Sequence, residues 1–84
     1  KIVKKLKAIT HPIRFKIVLG LLEKKNCNVN IMIKKLKIQQ AIVSQHLAIL
    51  RKNRIIIGKR EGTKICYSLI DENIRKMLNN LIAK

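Results

Sequence analysis

The segment from Met32 to Leu50 limits what this chain can fold into more than any other part of it. Met32, Ile33 and Leu36 form one apolar run, which breaks at Lys37-Ile38-Gln39. Val43, Leu47 and Leu50 then repeat at i, i+4 and i+7, the spacing that places three side chains on one stripe of a new helix. Two short amphipathic helices separated by a three-residue turn must share one core and cross steeply, which is the helix-turn-helix arrangement. The opposite face of the second helix, Gln40, Ala41, Ser44 and Gln45, is small and uncharged, where a merely solvated helix carries Lys and Glu.

The flanks extend this unit. Ile2, Val3, Leu6 and Ile9 lie on one face of a first helix, too short to be stable unless it docks on something. Thr10-His11-Pro12 breaks and restarts the chain, with Pro12 suited to a first helical position. The second helix carries Ile13, Ile17, Val18, Leu21 and Leu22 as its stripe and runs out at Lys24-Lys25-Asn26. Asn28 is an N-cap for a third helix over Val29 to Leu36, and the fourth runs from Gln40 to about Asn53. Ile55-Ile56-Ile57 and Ile65 to Ile70 read as two β-runs, joined by a polar tip from Gly58 to Lys64. Along the second run Ile65, Tyr67 and Leu69 form the inward set, which turns Cys66 the other way. Asp71 opens a last helix, with Ile74, Met77, Leu78, Leu81 and Ile82 along one side. Four helices, a hairpin and a closing helix (α-α-α-α-β-β-α) make a winged helix-turn-helix, mainly α with one small β-hairpin. Residues 1–84 are read as one such domain. Its first and last helices have more apolar surface than a small core covers, so a homodimer through those two helices is expected.

Charge then points to a partner. Twenty Lys and Arg face only Glu23, Glu61, Asp71 and Glu72, a formal charge of +16. A lysine-rich coding bias would not also deplete acids, so the balance favours a polyanion, nucleic acid before membrane. No apolar run approaches the length that crosses a bilayer and no signal-peptide core is seen, so the cytoplasm is the expected location. In that setting the uncharged helix face becomes a base-reading surface. Gln39, Gln40, Ala41, Ser44 and Gln45 are the candidate base contacts, since Gln can pair with adenine through two hydrogen bonds. Lys59, Arg60 and Lys64 in the hairpin are candidates for the phosphate backbone or minor groove.

Three stretches together resemble the ArsR-type (ArsR/SmtB) transcriptional regulators. Leu6 to Arg14, with His11-Pro12-Ile13-Arg14, is similar to the family's HPxR entry to its second helix. Gln40 to Arg51, with Val43-Ser44-Gln45-His46-Leu47, resembles its recognition helix, and Gly62 to Leu69 its second wing strand. The resemblance implies a dimeric regulator, usually a repressor, that binds an inverted-repeat operator on double-stranded DNA and leaves it when an inducer binds. It also implies, for many members, a metal inducer, and here the chain departs from the pattern. Asn28 and Asn30 stand where metal-sensing members carry a thiolate pair, and amides are poor ligands for soft metals. Asp71 matches one position of a second site between the last helices, but Asn73 stands where a His is expected. No metal and no cofactor are therefore expected.

The remaining reactive residues are few. His11 and His46 sit at positions the family fills for structural reasons, one capping or buttressing the second helix and the other near the buried side of the recognition helix. Cys27 and Cys66 are either small buried hydrophobes or a two-cysteine redox or persulfide switch, the latter if the segment before the third helix pairs with the second wing strand. No Ser/His/Asp grouping, carboxylate pair or phosphate-cradling loop is present, so an enzyme is not expected. Two other classes stay open: a sequence-neutral architectural protein that coats DNA, and a cationic dimer that docks on membrane or acidic protein.

Overall fold

The computed structural model describes residues 2–23 and 28–82. Five helices and one hairpin follow in the order α1 (Ile2–Ile9), α2 (Pro12–Leu22), α3 (Val29–Leu36), α4 (Gln40–Lys52), β1 (Ile56–Glu61), β2 (Lys64–Leu69) and α5 (Glu72–Ile82). This is the winged helix-turn-helix order expected from the pattern.

Local chemistry fixes the helix ends. His11 caps α2 through its ring, Nδ1 accepting the Ile13 N–H at 3.1 Å, with Pro12 in the first turn. Asn28 Oδ1 accepts the Ile31 N–H at 3.0 Å and starts α3. That helix stops because Lys37 takes the left-handed conformation (φ 57°), its N–H donating back to the Ile33 carbonyl at 2.8 Å. The chain then re-enters a helix after only Ile38 and Gln39, so α3 and α4 are locked as a pair. The far end of α4 closes as a Schellman motif. Arg54 is left-handed (φ 58°), its N–H reaches the Arg51 carbonyl at 3.0 Å, and the Ile55 N–H reaches Leu50 at 3.0 Å. The hydrophobic contact that accompanies such a motif joins Leu50 to Ile55, both fully buried.

One core serves all the elements. Ile17, Val18 and Leu21 of α2 meet Met32 of α3, Val43, Leu47 and Leu50 of α4, Tyr67 and Leu69 of β2, and Ile74 and Leu78 of α5. Ala8 and Ile9 bring the end of α1 into it, while Ile2 and Val3 remain 72% and 63% exposed. Leu81 and Ile82 of α5 are likewise exposed. A groove of about 300 Å³, lined by Ile2, Leu6, Ile74 and Met77 among others, separates α1 from α5.

The hairpin corrects the sequence reading in two respects. Residues 58–64 are not a loop tip: β1 runs to Glu61 and β2 begins at Lys64, leaving a turn of Gly62 and Thr63. The strands pair antiparallel from Ile56↔Leu69 through Gly58↔Tyr67 to Glu61↔Lys64. Gly62 (φ 67°) supplies the positive φ that a two-residue hairpin turn needs at its first position. Gly58 is required for a different reason: a Cβ there would lie 2.9 Å from Ile65 Cγ2 and 3.0 Å from Tyr67 Cε1. A second correction concerns Ile65. It has the parity of Tyr67 and Leu69, yet is exposed, because the ribbon has already left the body of the protein at that point. The last helix begins one residue later than expected, at Glu72, with Asp71 as its cap.

Candidate nucleic-acid interface

The orientation of α4 follows from what it buries. Val43, Leu47 and Leu50 are at most 3% exposed, so the helix cannot roll without extracting them. At about 100° per residue, Ala41, Ser44, Gln45, Ala48 and Lys52 then fall on the outward face. Gln39, Gln40, Ala41, Ser44 and Gln45 are all exposed. Gln39 precedes the helix in extended conformation, and its side chain makes no capping hydrogen bond, so its carboxamide is not used to close the helix end. Its carbonyl accepts from the Ile42 and Val43 N–H groups, both at 3.1 Å. Four exposed residues without a charged side chain thus project from the N-terminal half of α4, with a fifth, Gln39, immediately before it. A helix in this position presents hydrogen-bonding groups at the width of a major groove.

Positive charge frames that face. Lys59, Arg60 and Lys64 are exposed on the two wing strands. The register separates them: Arg60 lies opposite Ile65, on the parity of the core-facing side, whereas Lys59 lies opposite Cys66 and Lys64 opposite Glu61, on the other side. Lys59 and Lys64 therefore act on one surface, and Arg60 on the reverse. Lys64 also lines a cleft with Asn28, Asn30 and Lys34 at the start of α3. A neighbouring cleft carries Gln40 beside Asn30, Thr63 and Lys64. The fold thereby brings Asn30 of α3 next to Gln40, the first residue of α4, with Lys34 in the adjoining cleft. In the sequence Lys34 belongs to the Lys34-Lys35-Lys37 cations that border the turn, whereas Asn30 stands out only as a departure from a metal site.

The residues that a metal-sensing relative would use do not fit a metal here. Asn28 spends its side-chain oxygen on capping α3. Asp71 is buried, accepts the Ile74 N–H on Oδ1 at 3.0 Å, and binds Lys5 Nζ through Oδ2 at 2.5 Å. Burial pushes the Asp71 carboxyl up, but the Lys5 hydrogen bond, the Ile74 N–H, the Lys5 charge and the Asn73 N–H together hold it below its ordinary value. Both oxygens are thus committed to holding α5 and α1 together. Among the described residues, no three His, Cys, Asp or Glu converge. Arg75, one turn into α5, donates to the Leu69 carbonyl and pairs with Glu72 at 3.3 Å, which fixes the helix against the end of β2.

Cys66 is half-buried on β2. Cys27 lies outside the described residues, so the proposed thiol pair is not placed. The start of α3, at Asn28 and Val29, does line a cleft with Lys64, Ile65 and Tyr67 of β2. His11 and His46 are brought together, with ring centroids 4.5 Å apart, and Arg14 Nη1 lies 3.2 Å from His46 Nδ1. No helix of the described residues is long and apolar enough to cross a membrane.

Comparison with known proteins agrees with this geometry. The family model described as bacterial regulatory protein, arsR family, matches residues 11–57. The chain is 35% identical over 78 residues to the HTH-type transcriptional repressor SmtB of Mycobacterium tuberculosis, covering 93% of this chain and 57% of that protein. It thus spans little more than half the length of that relative. It is 42% identical over 77 residues to the transcriptional repressor PagR of Bacillus anthracis, covering 88% of this chain and 77% of that one. The solved PagR structure superposes with a TM-score of 0.83 at 35% identity, over 94% of this chain and 90% of that one. The transcriptional regulator HlyU from Vibrio vulnificus CMCP6 gives 0.87 at 30% identity, over 96% and 83%.

Proposed function

The chain belongs to the arsR family of bacterial regulatory proteins, and from that premise we propose that it is a sequence-specific DNA-binding regulator of transcription, acting as a dimeric repressor on an inverted repeat. One observation carries the reading: the uncharged face of α4, with Ala41, Ser44 and Gln45 exposed, stands out from a helix-turn-helix whose surroundings are cationic. A sequence-neutral binder needs only the cations, and has no use for a carboxamide and hydroxyl face on a helix locked by three buried residues.

In this proposal residues 1–84 act as one winged unit. Gln39, Gln40, Ala41, Ser44 and Gln45 meet base edges, Lys59 and Lys64 hold one side of the wing on phosphates, and Arg60 contributes from the reverse side. Asn30 beside Gln40, and Lys34 in the cleft it shares with Lys64, add backbone contacts. The dimer is supported by the exposed apolar ends of α1 and α5 (Ile2, Val3, Leu81 and Ile82), which a second copy would cover. Two-fold symmetry would then set two α4 helices about one helical turn of DNA apart.

Selection from a random pool of duplex DNA tests this. The proposal expects an inverted repeat whose half-site centres lie roughly 10 base pairs apart. Recovery of unrelated sequences at equal affinity would refute it in favour of an architectural role.

A further inference from the structure

The chain has two histidines, and the fold brings both to one place. His11 uses Nδ1 to cap α2, accepting from Ile13. Its ring is tilted 41° against that of His46 on α4. Arg14, in the first turn of α2, reaches across both neighbours. Its Nε donates to the Ala8 carbonyl at the end of α1 at 2.5 Å, and its Nη1 lies 3.2 Å from His46 Nδ1. A guanidinium can only donate and does not lose its proton in proteins. The His46 Nδ1 atom is therefore the acceptor, and the ring is neutral with its proton on Nε2. His46 itself sits between Gln45, exposed on the reading face, and Leu47, buried in the core. One guanidinium thus joins α1, α2 and the recognition helix, and its bond to α4 exists only while His46 carries a single ring proton.

We propose that this cluster makes operator recognition proton-gated: protonation of His46 turns its hydrogen bond from Arg14 into a contact between two cations and loosens α4 from its docked orientation. The proposal rests on the reading of α4 as the recognition helix. The proton comes from solvent and adds at Nδ1, where the Arg14 bond is lost. Among the described residues, the charges found to act on His46 are those of His11 and Arg14, and both oppose the new charge. Facing His46 from α2 are Arg14 and His11; beside Arg14, α1 brings Lys4 and Lys7, and α4 adds Lys52. The α3 helix packed on α4 carries Lys34 and Lys35, with Lys37 after it, and β1 carries Lys59, Arg60 and Glu61, the last opposite Lys64. The described carboxylate ion pairs are Lys5–Asp71 and Arg75–Glu72, both at α5.

His46 is held below its ordinary value of 6.5, first by burial of the ring, then by the charges of His11 and Arg14. The sign follows. A base whose value is lowered by docking favours the docked state fully above pH 6.5, and that advantage is lost as pH falls through 6.5 toward the lowered value. At pH 5.5, one unit under the free value, the loss reaches at most about tenfold per subunit and about a hundredfold for two. An added positive charge on α4 does not weaken binding to an arbitrary polyanion. Operator binding falls while binding to random DNA holds, so the ratio of the two is the readout.

The experiment measures that ratio by fluorescence anisotropy between pH 5.5 and 7.5 at fixed ionic strength, for the wild type, His46→Gln and His11→Asn. The duplexes are a selected inverted repeat and a random sequence. The ratio in the wild type should fall as pH drops below 6.5, by no more than about a hundredfold at pH 5.5. His46→Gln keeps an acceptor for Arg14 that does not titrate, so it should bind normally at pH 7.5 and show a flat ratio. His11→Asn keeps a capping oxygen and should retain the fall. A flat wild-type ratio, or a fall that persists in His46→Gln, would overturn the proposal. A second readout needs no DNA: in an NMR titration of the free protein, α4 amide shifts should move with the His46 ring midpoint. Static α4 amides across that midpoint would also overturn it, including where His46→Gln fails to fold. Absence of operator preference at every pH would instead refute the recognition reading, with the ring titration still reporting the Arg14–His46 bond.

Discussion

Asp71→Ala should destabilise the protein by about 2 kcal/mol, and the structure says how that divides. The carboxylate performs two tasks with two oxygens. Oδ1 caps α5 through the Ile74 N–H, and losing an N-cap of this kind costs about 1 kcal/mol. Oδ2 binds Lys5 across 66 residues of sequence. The Lys5 side chain is 39% exposed, so solvent screening reduces that bond to about 0.5–1 kcal/mol. Asp71→Asn retains an oxygen for the cap and removes the charge, so it should lose only the second, smaller part. Lys5→Met in the Asp71→Asn background should then cost almost nothing more. Thermal unfolding followed by circular dichroism at one fixed protein concentration resolves these steps, because about 2 kcal/mol corresponds to roughly 10 °C in a domain of this size. The pH dependence adds a further check. Asp71 is held below its ordinary 3.8, so its stabilisation is complete above that value and is lost as pH falls through 3.8 toward the lowered one. Wild type and Asp71→Asn should therefore converge as pH falls below 3.8. Asp71→Asn proving as damaging as Asp71→Ala would refute the division of labour, and losses under about 0.5 kcal/mol for both would refute the cap itself.

Other expectations are shorter to state. Gly58→Ala should cost about 1–2 kcal/mol, since the new methyl meets Ile65 and the buried Tyr67 ring, and an unchanged melting temperature would contradict the close approach. Leu50→Ala should cost about 3 kcal/mol, because a fully buried side chain leaves a cavity and the Schellman end loses its contact with Ile55. Gln45→Ala should reduce discrimination between operator and random DNA by about 1–3 kcal/mol, whereas equal loss on both would mean that Gln45 reads no base. Lys59→Gln or Lys64→Gln should weaken binding to every sequence and lower the salt slope by about one, and an unaltered slope would remove that lysine from the phosphate contacts.

Much of this architecture was legible because it is written in local terms. The Val43, Leu47 and Leu50 stripe needs only helical spacing to be seen, and Asn28 needs only its place before an apolar run. The wing departs from its sequence pattern for a physical reason. Lys59-Arg60-Glu61 project on a two-stranded ribbon that stands away from the core, where strand residues are as polar as a loop. Ile65 obeys the alternation of β2 but has no core above it. The contacts joining distant segments left no trace in the pattern. Lys5 is one cation among twenty Lys and Arg, and nothing local says that it meets Asp71. Asp71 resembled a metal-ligand position until the structure showed both its oxygens committed. Arg14 and His46 were visible as parts of two separate stretches, and only the crossing of α2 and α4 makes them partners.

The proposed base-reading face of α4 is tested most directly by one measurement. Fluorescence anisotropy with a labelled duplex from upstream of the protein's own coding region, against a scrambled duplex in excess competitor, gives the specificity ratio. A helix that reads bases through Ser44 and Gln45 predicts a preference of about 10³ or more at physiological salt. Equal affinity for the two duplexes, falling in parallel as salt rises, would show that the charge alone binds DNA and that the uncharged face reads nothing.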